Sequence, residues 1–426
     1  MSPSDRIGAA GWRLVLLASL GGALEFYDFV IFGIFARDIS QAVFPTGDPL
    51  ASLMATFAAF AAGYLARPIG GIVLAHYGDR YGRRTVFIWS VFVMSAATLG
   101  IGLVPSHAQL GVTASILMVV LRLVQGFCLG GELPGALTYV VEAAPRIAPL
   151  VAGIVFACVT MGVAVATGVS LSVRTFLDPA LVPTYGWRIA FVLGGLGGVL
   201  SFWLRRALEE SPEFERMKRL ASRQPFTEML RTHTVHVLIG SALLAGTGCF
   251  NGLFFSHLPA YLTTVLEYDP RQAVLSQTVG VLASALGILM TGWIGDRIPP
   301  RYLLRTGVVL LFALAMPFYG AIEARSANLT LVCVLAGLCA GFTNGSFAVL
   351  LTDLFPTRIR FTGVALIFNV SFTLFSGMAP LAATTLIRET GSVTSPAYLM
   401  MGAAVLALVG SLWVDRYGGN VLRRRD

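Results

Sequence analysis

Apolar residues in this chain neither alternate strand-wise nor keep to one helical face. They run on in long blocks broken by short polar loops. A helix needs about 20 mainly apolar residues to cross a bilayer. Blocks of that length recur from end to end and predict spans over 13–36, 51–75, 86–104, 113–136, 150–173, 187–205, 235–264, 274–294, 303–322, 328–350, 361–387 and 397–415. The pattern therefore predicts an all-α membrane protein with twelve transmembrane helices. The longest polar stretch between spans, Arg205 to Thr234, carries Glu209, Glu210, Glu213, Glu215, Arg216, Lys218 and Arg219 and reads as a charged surface helix. It divides the spans evenly. The expected organisation is an N-terminal six-helix bundle over 1–204, a cytoplasmic central loop over 205–234 and a C-terminal six-helix bundle over 235–426.

Composition supports this picture: 56% of residues are hydrophobic and 12% charged, too apolar for a soluble domain. The 46 glycines suit close helix packing in lipid. Of the 30 basic residues, 22 fall on one side of the predicted membrane and five on the other, which places the richer side and both termini in the cytoplasm. That bias accounts for the net charge of +8 without nucleic acid. The short polar N-terminus runs straight into a full-length span, so no cleavable signal is expected. Cys128, Cys158, Cys249, Cys333 and Cys339 all fall within spans and read as packing residues.

Charge inside a span costs several kcal/mol unless paired or hydrated, and so points to function. The first span carries Glu25 and Asp28 near its centre, and the fourth carries Arg122. Residues three apart share a helix face. Two carboxylates and one guanidinium leave one carboxylate over, a candidate proton carrier, with Arg122 as a candidate substrate anchor. A static ion-pair network is the alternative, and the sequence does not say which of Glu25 and Asp28 carries a proton. Arg67 and Glu132 form a second candidate pair, as a gate, a proton exit or a structural bridge; Glu132 is thereby a candidate proton-coupling residue, and Arg67, with Arg122, a candidate substrate contact that favours an acid.

An internal echo marks the two halves. Ala75-His-Tyr-Gly-Asp79-Arg80-Tyr-Gly82-Arg83-Arg84 follows the second span, and Gly292-Trp-Ile-Gly-Asp296-Arg297-Ile-Pro-Pro-Arg301 follows the eighth. The first resembles the signature loop of the major facilitator superfamily. Leu24-Glu-Phe-Tyr-Asp28-Phe, Ala66-Arg67-Pro-Ile-Gly-Gly, Arg122-Leu-Val-Gln-Gly, Leu208-Glu-Glu-Ser-Pro-Glu-Phe214 and Leu354-Phe-Pro-Thr-Arg358-Ile-Arg360-Phe-Thr-Gly resemble its metabolite:proton symporter family, in matching order across both halves. Departures are Phe26 for the usual Trp, Ala75 for Gly, Pro134 where Gly is common, an apolar fifth span and Pro299-Pro300 where Gly-Arg is usual.

The resemblance implies a cavity between two rocking bundles, lined by the first and fourth helices, at the site layout of repeat-built transporters. It also implies that Asp79, Arg80, Arg83 and Arg84 latch the halves, with Asp296, Arg297, Asp353, Arg358 and Arg360 as the matching parts of the second half. The alternative is loop charge serving topology alone. Tyr27, Asn251, Phe254, Asn344 and Asn369 are candidate substrate contacts, with packing or interhelical hydrogen bonding as the plainer role. Pro259 is expected to bend the seventh span, and His257 to be a solvated residue near the outer surface.

There is no Gly-x-x-x-x-Gly-Lys-Ser/Thr, zinc-spaced Cys/His cluster, His-Glu-x-x-His or Gly-x-Ser-x-Gly, so no enzyme, metal site or cofactor is expected beyond protons as coupling ion. The resemblance implies proton-driven uptake of a small organic acid, such as a di- or tricarboxylate, or of a zwitterionic osmolyte. The setting it implies is a bacterial inner membrane, and the expected form a monomer whose partners are substrate, protons and lipid. Rivals are an efflux antiporter for drug- or siderophore-like compounds and a transport-inactive membrane sensor.

Overall fold

The structure, a computed structural model, describes residues 9–81, 83–130, 132–206 and 232–419. Among these residues there is no strand. The N-terminal half holds α1 (Ala9–Ile34), α2 (Ala36–Val43), α3 (Pro49–Tyr81), α4 (Arg83–Leu103), α5 (Val112–Cys128), α6 (Glu132–Ala143), α7 (Ala148–Phe176) and α8 (Trp187–Arg206). The C-terminal half holds α9 (Thr234–Phe250), α10 (Pro270–Gly295), α11 (Pro300–Glu323), α12 (Leu329–Asp353), α13 (Thr357–Ser371), α14 (Ala379–Thr390) and α15 (Pro396–Tyr417). Among the described residues ten helical segments are long and apolar enough to cross a membrane, and the bent pair α1–α2 supplies an eleventh. The shorter apolar stretch Ile88–Leu103 of α4 completes the twelve of the expected fold.

Several spans are broken where the hydropathy pattern predicts one rod. The first turns by 62° between Ile34 and Ala36. The fourth stops at Cys128 and restarts at Glu132, instead of ending at 136, and continues to Ala143. Beside this break α3 and the fourth span approach closely: a Cβ on Gly126 would overlap the Gly63 carbonyl, and one on Gly130 would overlap the Gly71 backbone. Glycine at these positions lets the two backbones touch.

Prolines break others. The seventh span continues from α9 through the π-helical Asn251–His257, the short Leu258–Ala260 and the π-helical Tyr261–Val265. Pro259 has no N–H, so the carbonyls four and five residues back, Phe255 and Phe254, lose their helical donor. Gln277 of α10 supplies it: its Nε2 donates to the Phe254 carbonyl at 2.7 Å and to the Phe255 carbonyl at 2.9 Å. Where a bend at Pro259 is expected, the structure shows π-helical turns on either side of the proline. The eleventh span likewise joins α13 to α14 through the π-helical Phe372–Gly377.

The halves meet where α7 packs on α10, α1 on the π segment of the seventh span, α3 on the eleventh span and α6 on α13. The five cysteines are free thiols, in keeping with packing roles.

Candidate functional site

The charged residues at mid-depth lie in the N-terminal half, but not in the pairing that spacing suggested. Glu25 and Asp28 are three residues apart, offset by about 60° on the helix, enough to meet different neighbours. Glu25 turns to α3, where Arg67 Nη2 lies 2.7 Å from its Oε1 with both side chains buried. Arg67 is thus a partner of Glu25; the expected pair of Arg67 with Glu132 falls on a side chain outside the described residues. Asp28 turns to α4 and α8. Its Oδ2 accepts from Thr98 Oγ1 at 3.2 Å, and its Oδ1 faces Gly194, where a Cβ would sit 2.6 Å away.

Arg122, with no exposed surface, makes no ion pair among the described residues. Its Nη1 donates to Gln125 Oε1 at 2.9 Å, one turn along α5, while Nε and Nη2 have no hydrogen-bond acceptor. Gln125 Nε2 donates to Thr98 Oγ1 at 2.7 Å, so a chain of neutral groups, Gln125 and Thr98, links the guanidinium to Asp28. Aromatic rings cover the cation: its Cζ lies 4.5 Å from the centroids of Phe29 and Phe32 and 5.2 Å from that of Phe60. Ring faces attract a desolvated cation. The sequence reading missed Thr98 and Gln125, whose only signal is polarity inside an apolar block.

The other candidate contacts divide by position. Tyr27 is anchored within its half, its hydroxyl donating to the Ala190 carbonyl at 2.8 Å. Asn251 and Asn344 bond to each other at 3.3 Å across α9 and α12. Phe254 stacks on Phe250 and lines an apolar cavity of about 210 Å³ inside the C-terminal bundle, with its ring turned from the N-terminal half. Asn369 crosses between halves: its Nδ2 donates to the Gly130 carbonyl at 2.6 Å. Thr373 also crosses, its hydroxyl donating to the Tyr64 carbonyl at 2.8 Å. The Tyr64 carbonyl stands four residues before Pro68 within α3, a residue with no N–H to offer it, and Gly130 stands in the break between α5 and α6. Phe26, Phe156, Phe347, Phe368 and Phe372 form an aromatic cluster between the halves, with Phe26 edge-on to both Phe156 and Phe372.

His257 departs from expectation. It is fully buried, its ring against Phe57 of α3, with Nε2 3.2 Å from Thr384 Oγ1. The prediction of a solvated rim residue fails because the N-terminal half packs over this part of the seventh span.

Both ends of the seam are closed. At the end rich in arginine, Arg360 of α13 pairs with Glu142 of α6; Glu142 was not anticipated. Asp79, Arg80, Arg83 and Arg84 fall at the junction of α3 and α4, but their side chains, like that of Arg358, lie outside the described residues. Asp353 accepts from the Gly419 amide at 2.7 Å. Asp296 is half-buried at the end of α10, and exposed Arg297 lies over the Trp293 ring at 4.1 Å. At the opposite end Arg271 donates to the Arg174 carbonyl at 2.7 Å and Arg388 meets Asp48 at 3.6 Å, both between halves, while Asp38 holds Arg174 at 2.6 Å within the N-terminal half. No cluster of metal-binding side chains occurs among the described residues.

Comparisons with known proteins show the family and the fold. The sequence pattern of the Major Facilitator Superfamily matches residues 18–380. The citrate-proton symporter of Klebsiella pneumoniae is 33% identical, over 98% of this chain and 94% of that protein. The glycine betaine/proline/ectoine/pipecolic acid transporter OusA of Dickeya dadantii (strain 3937) is 30% identical, over 96% of this chain and 84% of that protein. Among solved structures, a proton:xylose symporter bound to 6-bromo-6-deoxy-D-glucose superposes with a TM-score of 0.76 at 15% identity, covering 95% of each chain, a likeness of fold alone.

Proposed function

Because the chain belongs to the major facilitator superfamily, and within it to the metabolite:proton symporter family, we propose that it couples the entry of one carboxylate-bearing metabolite to the entry of protons. Proton-coupled symport of a small organic substrate through a multi-pass membrane protein is the common ground of its relatives. The carboxylate is our reading, and one observation carries it. Among the described residues the buried arginines are Arg67, Arg122 and Arg360. Arg67 holds Glu25 and Arg360 holds Glu142, while Arg122 is matched to no carboxylate and keeps two N–H groups without an acceptor. A buried cation so placed favours an anionic group that arrives with substrate, because the guanidinium fork fits a carboxylate in two-point geometry.

The proton goes to Asp28. Glu25 is engaged with Arg67, whereas the hydrogen bond to Asp28 comes from a neutral hydroxyl. A proton on Asp28 together with a carboxylate on Arg122 leaves the N-terminal cluster neutral, the state that crosses a low-dielectric interior at least cost. The Gln125–Thr98 bridge lets each event be felt at the other. This charge balance favours a single carboxylate at Arg122. A betaine-like zwitterion then fits well, its cationic end resting on ring faces such as those of Phe26, Phe156 and Phe372. Further carboxylates, as in citrate, need cations from elsewhere in the seam.

The remaining assignments follow. The chain divides into bundles over 1–204 and 235–426 joined by 205–234. The arginine-rich end and both termini face the cytoplasm of a bacterial cell, in whose inner membrane the monomer works by alternating access. Arg360–Glu142 closes the cytoplasmic end, and the Arg271–Arg174 and Arg388–Asp48 contacts close the outer end, with Asp38 holding Arg174 in place. Protons are the coupling ion, and no prosthetic group takes part.

The test is a thermal-shift screen of purified protein against mono-, di- and tricarboxylates, betaines and efflux drugs at two pH values, since ligands of the folded state raise its melting temperature. A pH-dependent shift with carboxylates, absent in Arg122→Ala, supports the reading. Shifts only with bulky apolar or cationic compounds overturn it in favour of efflux, and binding without coupled flux in vesicles favours a sensor.

A further inference from the structure

A second ionisable group lies in the seam between the halves, far along the chain from Asp28 and in the opposite half. His257 ends the π-helical segment Asn251–His257 and has no exposed surface. Its ring stacks with Tyr261 at 5.6 Å and meets Phe57 of α3 at 5.5 Å, centroid to centroid. The preceding residue, Ser256, packs so tightly on α1 that a Cβ at Gly33 would fall 2.6 Å from its own Cβ. The imidazole is thus sealed in by the N-terminal half at the end opposite the arginine-rich one.

The two ring nitrogens have different surroundings. Nε2 lies 3.2 Å from Thr384 Oγ1, which also bonds the Pro380 carbonyl at 2.8 Å. Nδ1 has no hydrogen-bond partner among the described residues. The imidazole faces Phe57 from α3, Thr384 from α14 and Tyr261 from its own span. The charged residues nearest along these elements and α1–α2 are Arg388, held by Asp48; Arg67, held by Glu25; Asp28; and Arg37 and Asp38, the latter held by Arg174. None of them is in hydrogen-bond contact with the ring among the described residues.

From this geometry we infer that His257 is a second proton-binding group of the transport cycle, loaded from water when the seam opens at this end and emptied to water before it closes. The inference rests on the symport reading above. With the seam closed, an imidazolium would put a charge and an unanswered N–H among rings and one hydroxyl, an arrangement that costs several kcal/mol. With the seam open, water reaches Nδ1, and histidine is the side chain that exchanges a proton in the physiological range. In the imidazolium Nε2 can donate to Thr384 Oγ1, so this contact anchors the ring while Nδ1 meets water. A proton on His257 therefore favours the open seam, and a group that binds one conformation better shifts the population toward it.

The experiment measures the seam directly, without substrate or transport. Spin labels go at Gly47→Cys, where an added Cβ meets nothing within 4 Å, and at exposed Glu389→Cys, beside the Asp48–Arg388 contact, after replacement of the native cysteines. Distance distributions are recorded as pH is lowered from about 8 to about 5, the range over which histidine changes charge. The expected result is a several-fold rise in the open fraction at low pH. That rise is lost in both His257→Gln and His257→Asn, which cannot take the proton, and kept in Asp28→Asn. An unchanged distribution in the native chain overturns the inference. So does a full response in both His257 variants, or loss of the response in Asp28→Asn alone. Absence of proton-driven uptake overturns the symport reading by a separate assay and leaves this distance measurement standing.

Discussion

Arg67 of α3 and Glu25 of α1 lie 2.7 Å apart with both side chains buried, so each is the other's reason for being charged at that depth. Removing one member of a buried pair strands the other and costs about 3–5 kcal/mol. Arg67→Met is therefore expected to lower the melting temperature of the purified protein sharply. Arg67→Met combined with Glu25→Gln, which removes both charges, is expected to recover most of the loss. A double variant as unstable as the single one would assign the damage to packing.

Asp28 is expected to separate substrate binding from proton coupling. Asparagine keeps its size and its hydrogen bond from Thr98 but cannot carry a proton. In vesicles, Asp28→Asn should still exchange labelled for unlabelled substrate, yet fail to accumulate it under an inward proton gradient, and its rate should no longer rise as the outer solution is acidified. Glu25→Gln is the contrast. If that variant loses accumulation and Asp28→Asn retains it, the proton belongs to Glu25.

The helical architecture was legible because run length is a property of the chain itself. Apolar blocks long enough to span a bilayer leave little choice of element, and the echo between Asp79 and Asp296 marks the two halves. What escaped depends on which helices touch. Spacing along α1 cannot say that Glu25 meets α3 while Asp28 meets α4, so it groups Arg122 with both carboxylates and does not find Arg67 beside Glu25. Neutral Thr98 and Gln125 resemble packing residues until they are found bridging Arg122 and Asp28. Breaks are equally hard to read. The fourth span breaks after Cys128, where Gly126 and Gly130 abut the α3 backbone, a contact with a neighbour that no hydropathy pattern records. His257 looked like a rim residue for the same reason: its cover, Phe57, comes from the other half.

The pair Arg360–Glu142 joins the halves at the arginine-rich end. Arg360→Gln leaves Glu142, itself only part-buried, without that guanidinium. It is expected to shift the balance toward the state open at that end by about 1–3 kcal/mol, or 5–150-fold. Thiol labelling of a cysteine placed in that part of the seam, such as Gly135→Cys facing Phe361, should quicken accordingly. The exchanged pair Glu142→Arg with Arg360→Glu should restore slow labelling. If labelling is unchanged in Arg360→Gln, the pair is loop charge with no part in closure.

Two further hydrogen bonds cross the seam, and one depends on a proline. Asn369 and Thr373 donate to the Gly130 and Tyr64 carbonyls of the other half at 2.6 and 2.8 Å, and Pro68 withholds the N–H that would otherwise occupy the Tyr64 carbonyl within α3. A net hydrogen bond is worth about 0.5–1.5 kcal/mol, and a buried acceptor left without one costs about 1–3. Asn369→Leu and Thr373→Val should each loosen the closed seam by such an amount, together shifting it further toward open forms in the labelling assay. Pro68→Ala offers an internal competitor, since its new N–H points along α3 toward the Tyr64 carbonyl. In that background Thr373→Val should have a smaller effect than in the native chain. Equal effects in the two backgrounds would mean that the carbonyl is not held open by proline, and that Thr373 acts in another way.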